Sequence, residues 1–394
     1  MLRASTVRLA THRTPPAVGE AVFPNPWIVI SALLLLTLGL LMMTSASMAI
    51  AATRMEAPFY FLNRQLLFVL IALFLAILTF HVPIARWRRI APFLLLITVS
   101  LLTLVLFIGR DINGATRWIT LGPVNWQVSE IAKLFTLIYV ASYLKSYGGE
   151  LRTSDFRTSA LALLRPMIVL AVLAALLLFE PDFGSVVVLM AATLGMVFLA
   201  GVNLVQFGIL LASTATAMIV LIVASPYRIG RVLKFLNPWD DPYGGSYQLV
   251  QSLIAIGRGE LFGVGLGESV QKLFYLPEAH TDFLFAVLAE ELGLIGILIV
   301  LGLFTVIVWN GFQIAQHAER LGKHFSAYLA YGIALWFGIQ ALFNMGVNMG
   351  VLPTKGLTLP LLSYGGSSVV VMCIALAILL RIDVESRTRG QFWE

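Results

Sequence analysis

The sequence predicts an all-α polytopic membrane protein of about ten transmembrane helices, with one long extracytoplasmic loop between spans 7 and 8. Three observations carry this reading. Hydrophobic residues make up 59% of the chain and charged residues 12%, about half the charged content of a soluble domain. The mean hydropathy is +0.91. Apolar runs of the ~17–25 residues that a bilayer requires recur at about 27–50, 62–80, 90–109, 127–145, 164–179, 184–201, 206–225, 282–311, 326–350 and 366–382. Only one stretch between runs, 226–281, is long.

The same composition excludes several classes. The single Cys373 lies in an apolar run and the five histidines are scattered, so neither a disulfide framework nor a zinc cluster is indicated. The net charge of +6 sits in short loops, which reads as orientation in a membrane and not as nucleic-acid binding. Residues 1–26 are polar, with Pro15, Pro16, Pro24 and Pro26, and read as a cytoplasmic tail. The apolar run from Trp27 exceeds 20 residues, too long for a signal-peptide core. Domain organisation is then a tail (1–26), a transmembrane domain (27–385) and a C-terminal tail (386–394).

Orientation follows from Lys and Arg. One set of short segments holds fifteen: Arg3, Arg8 and Arg13; Arg86, Arg88 and Arg89; Lys145, Arg152, Arg157 and Arg165; Arg320 and Lys323; Arg381, Arg387 and Arg389. The opposite short loops hold five, Arg54, Arg64, Arg110, Arg117 and Lys355. Both termini are expected in the cytoplasm, and the long loop outside.

That loop has structure of its own. Residues 227–236 space Arg228, Arg231 and Lys234 three apart, with Ile229, Val232, Leu233 and Leu236 on another side: an amphipathic interfacial helix. Residues 237–245 are a turn cluster, and 246–256 again show helical period. Residues 257–267 are glycine-rich and read as a surface loop or a phosphate cradle, although the spacing fits neither a P-loop nor a dinucleotide fingerprint.

Three other irregular stretches fall on the same outer side: 110–126, the Glu180-Pro181-Asp182-Phe183-Gly184 turn, and 344–368, apolar yet broken by Pro353, Pro360 and several glycines. Non-helical backbone at membrane depth survives only against protein or a wet cavity. Glu278, His280, Thr281 and Asp282 stand where the polar loop meets the eighth span, with Glu290 and Glu291 about two turns deeper. An ionisable group at a span needs solvent, a partner or a task. Asp282 is read either as the chemical group of a site at the membrane surface or as the cap of the eighth helix. Glu130 and Lys133, at i and i+3, share a helix face and are read as a structural ion pair or as the lining of a polar cavity. Asn344 and Asn348 read as helix-to-helix hydrogen bonders.

Several stretches resemble the SEDS family (shape, elongation, division and sporulation), its cell-division branch more than its elongation branch. They are Asn237-Pro238-Trp239, Tyr247 to Ser252, Gly265 to Lys272, Leu276 to Asp282, and Asn344 through Ser368 with Ser363-Tyr364-Gly365-Gly366. The elongation branch tends to carry a basic residue where Ala279 stands. The resemblance covers about 27–385.

It implies a peptidoglycan glycosyltransferase that polymerises lipid II at the outer face of the bacterial cytoplasmic membrane, at the division septum. Its essential aspartate falls on Asp282, its intramembrane acid–base pair on Glu130 and Lys133, and its loop lysine on Lys355. It also implies a class B penicillin-binding protein of the FtsI type, and other division proteins, as partners. A carboxylate near a sugar hydroxyl takes its proton during attack, and a departing diphosphate needs positive charge. Arg228, Arg231, Lys272, Lys355 or a divalent cation are the candidates, with Glu278, His280, Thr281 and Ser363 as further substrate contacts. A lipid flippase or transporter, and a non-catalytic division scaffold, are the alternative functions.

Overall fold

The computed structural model describes residues 23–112, 115–121, 124–153, 155–354 and 356–388. Most of the expected N-terminal tail, Lys355 and residues 389–394 lie outside them. The helices in chain order are α1 (Pro26–Met55), α2 (Tyr60–Phe80), α3 (Ile84–Ile108), α4 (Val128–Leu151), α5 (Phe156–Phe179), α6 (Phe183–Leu199), α7 (Leu204–Val223), α8 (Pro226–Leu236), α9 (Tyr247–Gly259), α10 (Leu284–Arg320), α11 (His324–Asn348) and α12 (Gly366–Arg387). Ten of these stand on the ten apolar runs, and α8 and α9 stand on the two helical patterns of the long loop. By length and composition eight are able to cross a membrane. Of the other two, α6 has only 17 residues, and α4 carries Glu130 and Lys133.

Polar caps set many of the starts. Asn25 accepts from Trp27 N with Pro26 at the first helical position, and Asp155, Asp182 and Asn203 accept from the first turns of α5, α6 and α7. Each such cap satisfies an amide that the helix itself leaves unpaired. The expected C-terminal tail begins inside α12, which stays helical to Arg387.

The stretch expected to be irregular at 110–126 is a small antiparallel sheet: β1 (Arg110–Ile112), β2 (Ala115–Leu121) and β3 (Val124–Gln127), in that order. Trp118 pairs with Gln127 and Ile119 with Trp126. Its β-branched and aromatic content suits a pleated surface. The sheet leads straight into α4.

Helices α11 and α12 are enclosed by the others, with Trp336, Phe337, Tyr328 and Met372 almost without exposure. On α7 only Gln206 is buried, where it accepts from Ser159 Oγ at 2.7 Å; the helix otherwise presents apolar side chains outward, as a lipid-facing helix does.

The glycine-rich stretch is largely exposed, as a surface loop is, with Leu261, Phe262 and Leu266 at the surface, but its backbone is docked on one side. Helix α10 breaks at Gly293, where φ is 64° and ψ −161°, and residues 260–265 lie in the break. Leu294 N donates to Glu260 O at 2.9 Å, and Val264 N to Glu290 O at 2.9 Å. A Cβ on Gly259 would meet Ala289 O at 1.9 Å, and one on Gly263 would meet Glu291 O at 2.1 Å. Glycine serves close backbone approach here. Loop amides that suit an anion receive a protein carboxylate: Glu290 accepts from Val270 N at 3.2 Å and Gln271 N at 3.3 Å, with Arg258 at 3.4 Å.

Candidate active site

Sequence and fold bring the N-terminal ends of α2, α4, α6, α8, α10 and α12 around one cavity of about 970 Å³. Residues 349–354 and 356–365 dip between α11 and α12 to form part of its wall. Leu357, Leu359, Leu361 and Leu362 are buried there, and amide side chains satisfy the exposed backbone. Gln340 Nε2 donates to Thr358 O at 3.1 Å and Asn344 Nδ2 to Leu357 O at 2.6 Å.

Asp282 stands in the cavity wall, two residues before α10. Phe283 occupies the N-cap position and no side chain caps the helix, so Asp282 is not held as a cap. A tight turn presents it instead. Thr281 N and Phe283 N both donate to Glu278 O, at 3.1 and 3.2 Å, with Glu278 in left-handed backbone at φ 56°. Left-handed backbone costs a non-glycine residue roughly 1–2 kcal/mol, and such residues gather at functional turns. The Asp282 carbonyl is then gripped by two amides: Asn344 Nδ2 at 2.9 Å and Asn348 Nδ2 at 3.0 Å. The two asparagines thus hold a turn, and Asn348 also makes the expected helix-to-helix bond, accepting from Ala286 N of α10 at 3.2 Å.

Burial raises the Asp282 carboxyl to about 7; Glu278 adds to the rise, Arg117 opposes it, and Asp182 adds a little more. Gly356 lies close to both Asp282 and Arg117: a Cβ there would lie 3.2 Å from Asp282 Oδ2 and 3.7 Å from Arg117 Nη1. Arg117 reaches from β2 to the turn between α5 and α6. Its Nε donates to Glu180 O at 3.2 Å, its Nη2 to Pro181 O, and its Nη1 lies 4.0 Å from Asp182 Oδ1. The Glu180 carboxyl beneath is fully buried, and burial, with Asp182 nearby, raises it to about 8. Asp182 itself accepts from Ser185 N and Oγ.

Several expected residues share this cavity: Glu278, His280, Thr281, Arg228, Arg231 and Glu130 line it with Asp282. Arg228 donates to Leu221 O at 2.9 Å and lies over the Phe183 ring at 5.5 Å. Arg231 reaches Thr354 O at 3.4 Å. Thr281 Oγ1 donates to Glu278 Oε2 at 2.8 Å. Lys133 lies behind Glu130, buried, with its Nζ 2.8 Å from both Glu130 Oε1 and Gln340 Oε1 and 5.4 Å from the Trp336 ring centroid. The other Glu130 oxygen is buried with no partner among the described residues.

Two expected substrate contacts do not belong. Lys272 is 7% exposed and spends its ammonium on Glu291 at 2.7 Å, Gly267 O at 2.6 Å and Ser45 Oγ at 2.9 Å. It anchors the loop against α10 and α1, because its charge is met inside the protein. Ser363 is buried and accepts from Leu359 N at 3.0 Å, closing a turn of the dipping segment. Lys355 lies outside the described residues.

Arg117 and Arg64 line the cavity although the sequence marks them only as loop charges. The run of β-branched and aromatic residues around Arg117, Thr116 to Thr120, was the signal available for the first. For Arg64 it was the spacing of Phe61, Arg64 and Phe68, which places them on one face of α2. Among the described residues no three of His, Cys, Asp and Glu converge as metal ligands.

The chain matches the family model described as "Cell cycle protein" (FtsW, RodA and SpoVE) over residues 26–388. A relative from Coxiella burnetii, named probable peptidoglycan glycosyltransferase FtsW, is 51% identical over 92% of this chain and 96% of its own length. One of the same name from Thioalkalivibrio sulfidiphilus is 52% identical over 92% and 90%. Among solved structures, a chain reported under the structural coordination of polymerization and crosslinking by a peptidoglycan synthase complex aligns with a TM-score of 0.73. It is 28% identical and covers 93% of this chain and 99% of that one. The crystal structure of the rod shape determining protein RodA of Thermus thermophilus aligns with a TM-score of 0.67 at 29% identity, covering 94% and 98%.

Proposed function

The chain belongs to the FtsW, RodA and SpoVE family of cell cycle proteins, and on that premise we infer that the cavity at Asp282 is where it joins sugars. It is a peptidoglycan glycosyltransferase of the FtsW type. Its substrate in this reading is lipid II, the polyprenyl-diphosphate-linked disaccharide-peptide. The observation that carries the reading is the pairing of Asp282 with a set of arginines in one cavity at the N-terminal ends of apolar helices.

The chemistry follows from the groups present. Ionised Asp282 accepts the proton of the acceptor sugar's hydroxyl as that oxygen attacks the donor's anomeric carbon. The new glycosidic C–O bond forms as the anomeric C–O bond to the diphosphate breaks, and the polyprenyl diphosphate leaves. A base works best with a pKa near the operating pH, which burial supplies at about 7. Arg117, Arg228 and Arg231 line the same cavity and oppose the charge that develops on the leaving diphosphate. The carbonyls that hold Arg117 fix its guanidinium in advance, which lowers the reorganisation needed in the transition state.

The apolar helices around the cavity give the polyprenyl tail a lipid environment. The basic short loops support a cytoplasmic-membrane location with both termini inside, and membership of the FtsW type supports the septum. The likeness to a chain of a peptidoglycan synthase complex supports a crosslinking partner, a class B penicillin-binding protein. The test is purified protein with lipid II, scored for glycan strands, beside Asp282→Asn. Strands from the variant at the wild-type rate would remove Asp282 from the chemistry.

A further inference from the structure

Three aromatic rings on the cavity wall have no part in the reaction as described. Phe61 comes from the first turn of α2, His280 from the turn before α10, and Tyr364 from the segment before α12. The ring centroids are 4.8 Å apart for Phe61 and His280, 5.4 Å for Phe61 and Tyr364, and 5.6 Å for His280 and Tyr364. The ring planes meet at 43°, 86° and 52° in the same order, so the rings form a corner and not a flat stack. Residues far apart in sequence make it, and the backbone locks it: Tyr364 N donates to His280 O at 3.0 Å. On α2, the Phe68 ring is pressed against Gly366, where an added Cβ would meet it at 2.5 Å, so the start of α2 is seated closely on the start of α12.

Three rings sealed in a core would need no further account. These line an open cavity together with Arg64, Arg117, Glu278 and Asp282. An aromatic surface in a charged cavity suits a ligand with one apolar face and a polar rim. A pyranose is such a ligand. Its ring C–H groups are polarised by the attached oxygens and sit against the negative face of an aromatic ring, while its hydroxyls point sideways. The buried Nδ1 of His280 has no partner among the described residues, and Thr281 and Glu278 line the cavity on the same turn.

We propose that Phe61, His280 and Tyr364 form the subsite for the acceptor sugar, the one whose hydroxyl Asp282 deprotonates. The proposal rests on the glycosyltransferase reading and assigns one of its two sugars a place. The reason for choosing the acceptor is the turn. His280 and Asp282 belong to one hydrogen-bonded turn, so a sugar seated on the His280 ring shares its support with the base. The arginines given to the leaving diphosphate make other contacts, Arg228 to Phe183 and Arg231 to Thr354.

The experiment compares two ligands on the full chain in lipid nanodiscs, in an Asp282→Asn background that stops turnover. The ligands are lipid II and undecaprenyl diphosphate, which has the tail and the diphosphate but no sugar. Phe61→Leu and Tyr364→Leu keep apolar bulk and remove the ring. Each is expected to weaken lipid II binding by about tenfold and to leave undecaprenyl diphosphate within about twofold. Phe61→Tyr and Tyr364→Phe keep a ring and are expected to restore lipid II affinity. With Asp282 present, the leucine variants are expected to raise KM for lipid II more than they lower kcat.

Equal weakening for both ligands would overturn the proposal, because the rings would then serve the tail or the fold. Leucine variants with wild-type lipid II affinity and wild-type polymerisation would overturn the corner while leaving the transferase standing. A wild-type chain that binds lipid II through the rings yet makes no strands would overturn the acceptor role together with the transferase reading.

Discussion

The side-chain amide of Asn348 donates to the backbone carbonyl of Asp282 at 3.0 Å. Its own oxygen accepts from Ala286 N at 3.2 Å, so one side chain holds the base from below and ties it to the first turn of α10. Asn344 grips the same carbonyl but does not reach Ala286. Asn348→Leu is therefore expected to be the more damaging of the two leucine variants. It removes one of two donors from the Asp282 carbonyl, which keeps Asn344, and one of two acceptors from the Ala286 amide, which keeps Phe283 O, and so lets Asp282 drift. A misplacement on the order of 1 Å costs about 10²-fold in rate. Polymerisation should fall by that order while lipid II binding changes little. Equal losses in binding and rate would mean that the asparagine supports the cavity as a whole.

The acid limb of the rate should report Asp282. Burial, with Glu278 nearby, holds its carboxyl up to about 7, and only the ionised form accepts a proton. Polymerisation should rise about tenfold per pH unit below 7 and level above it. Glu278→Gln removes a negative neighbour and should move the limb to lower pH. Arg117→Gln removes a positive one and should move it to higher pH. Opposite shifts in a pH–rate series would remove Asp282 as the titrating group.

The same raised carboxyl makes a stability prediction of fixed sign. A group whose folded pKa lies above its unfolded value favours the folded state when protonated. That contribution is full at low pH and is lost as pH rises through about 7. Above pH 7 the folded protein bears the cost of a buried charge, which Asp282→Asn removes. The variant should melt at a higher temperature than the parent at pH 8, while making no strands, and the gap should shrink on going to pH 5. A lower melting temperature at pH 8 would show that the ionised carboxylate is compensated by its surroundings.

Much of the fold was legible because its signals are long. Ten apolar runs, two amphipathic patterns and the asymmetry of Lys and Arg each extend over many residues, and local sequence suffices to read them. The turn at Glu278–Asp282 was legible for a related reason, since carboxylates beside a membrane span are costly. Lys272 and Ser363 were misread because nothing local distinguishes a lysine that faces substrate from one that pairs with Glu291 across the fold. Arg117 was passed over for the converse reason: its place is set by the Glu180 and Pro181 carbonyls, 63 and 64 residues away. The glycine-rich stretch was read as a surface loop or a phosphate cradle, and nothing local showed that its neighbour is the break in α10.

That break offers a paired test. A Cβ on Gly259 would meet Ala289 O at 1.9 Å, whereas one on Gly257 meets nothing within 4 Å. Both glycines lie in α9. Gly257→Ala should stabilise by about 0.5–1 kcal/mol through helix propensity. Gly259→Ala should destabilise by more than that and lower the yield of folded protein, because backbone has to move. Melting temperatures in one detergent settle it, and equal effects of the two changes would mean that the loop does not sit in the break.

Glu130 and Lys133 should behave as a unit. Their side chains are 2% and 1% exposed, and removing one partner of such a pair costs about 3–5 kcal/mol because the other charge is left uncompensated. Lys133→Met alone strands Glu130, and Glu130→Gln alone strands Lys133, although Gln340 and the Trp336 ring remain to soften the second loss. Lys133→Met is therefore expected to be the less stable single variant. The double variant, Glu130→Gln with Lys133→Met, carries no buried charge and should recover most of the lost melting temperature. Its polymerisation should stay below wild type, since Glu130 also lines the cavity and Gln340, which holds Thr358 O at 3.1 Å, loses its lysine partner. A double variant as unstable as the two single losses added together would show that the two charges are not coupled. One that regained full polymerisation as well as stability would reduce the pair to a purely structural one.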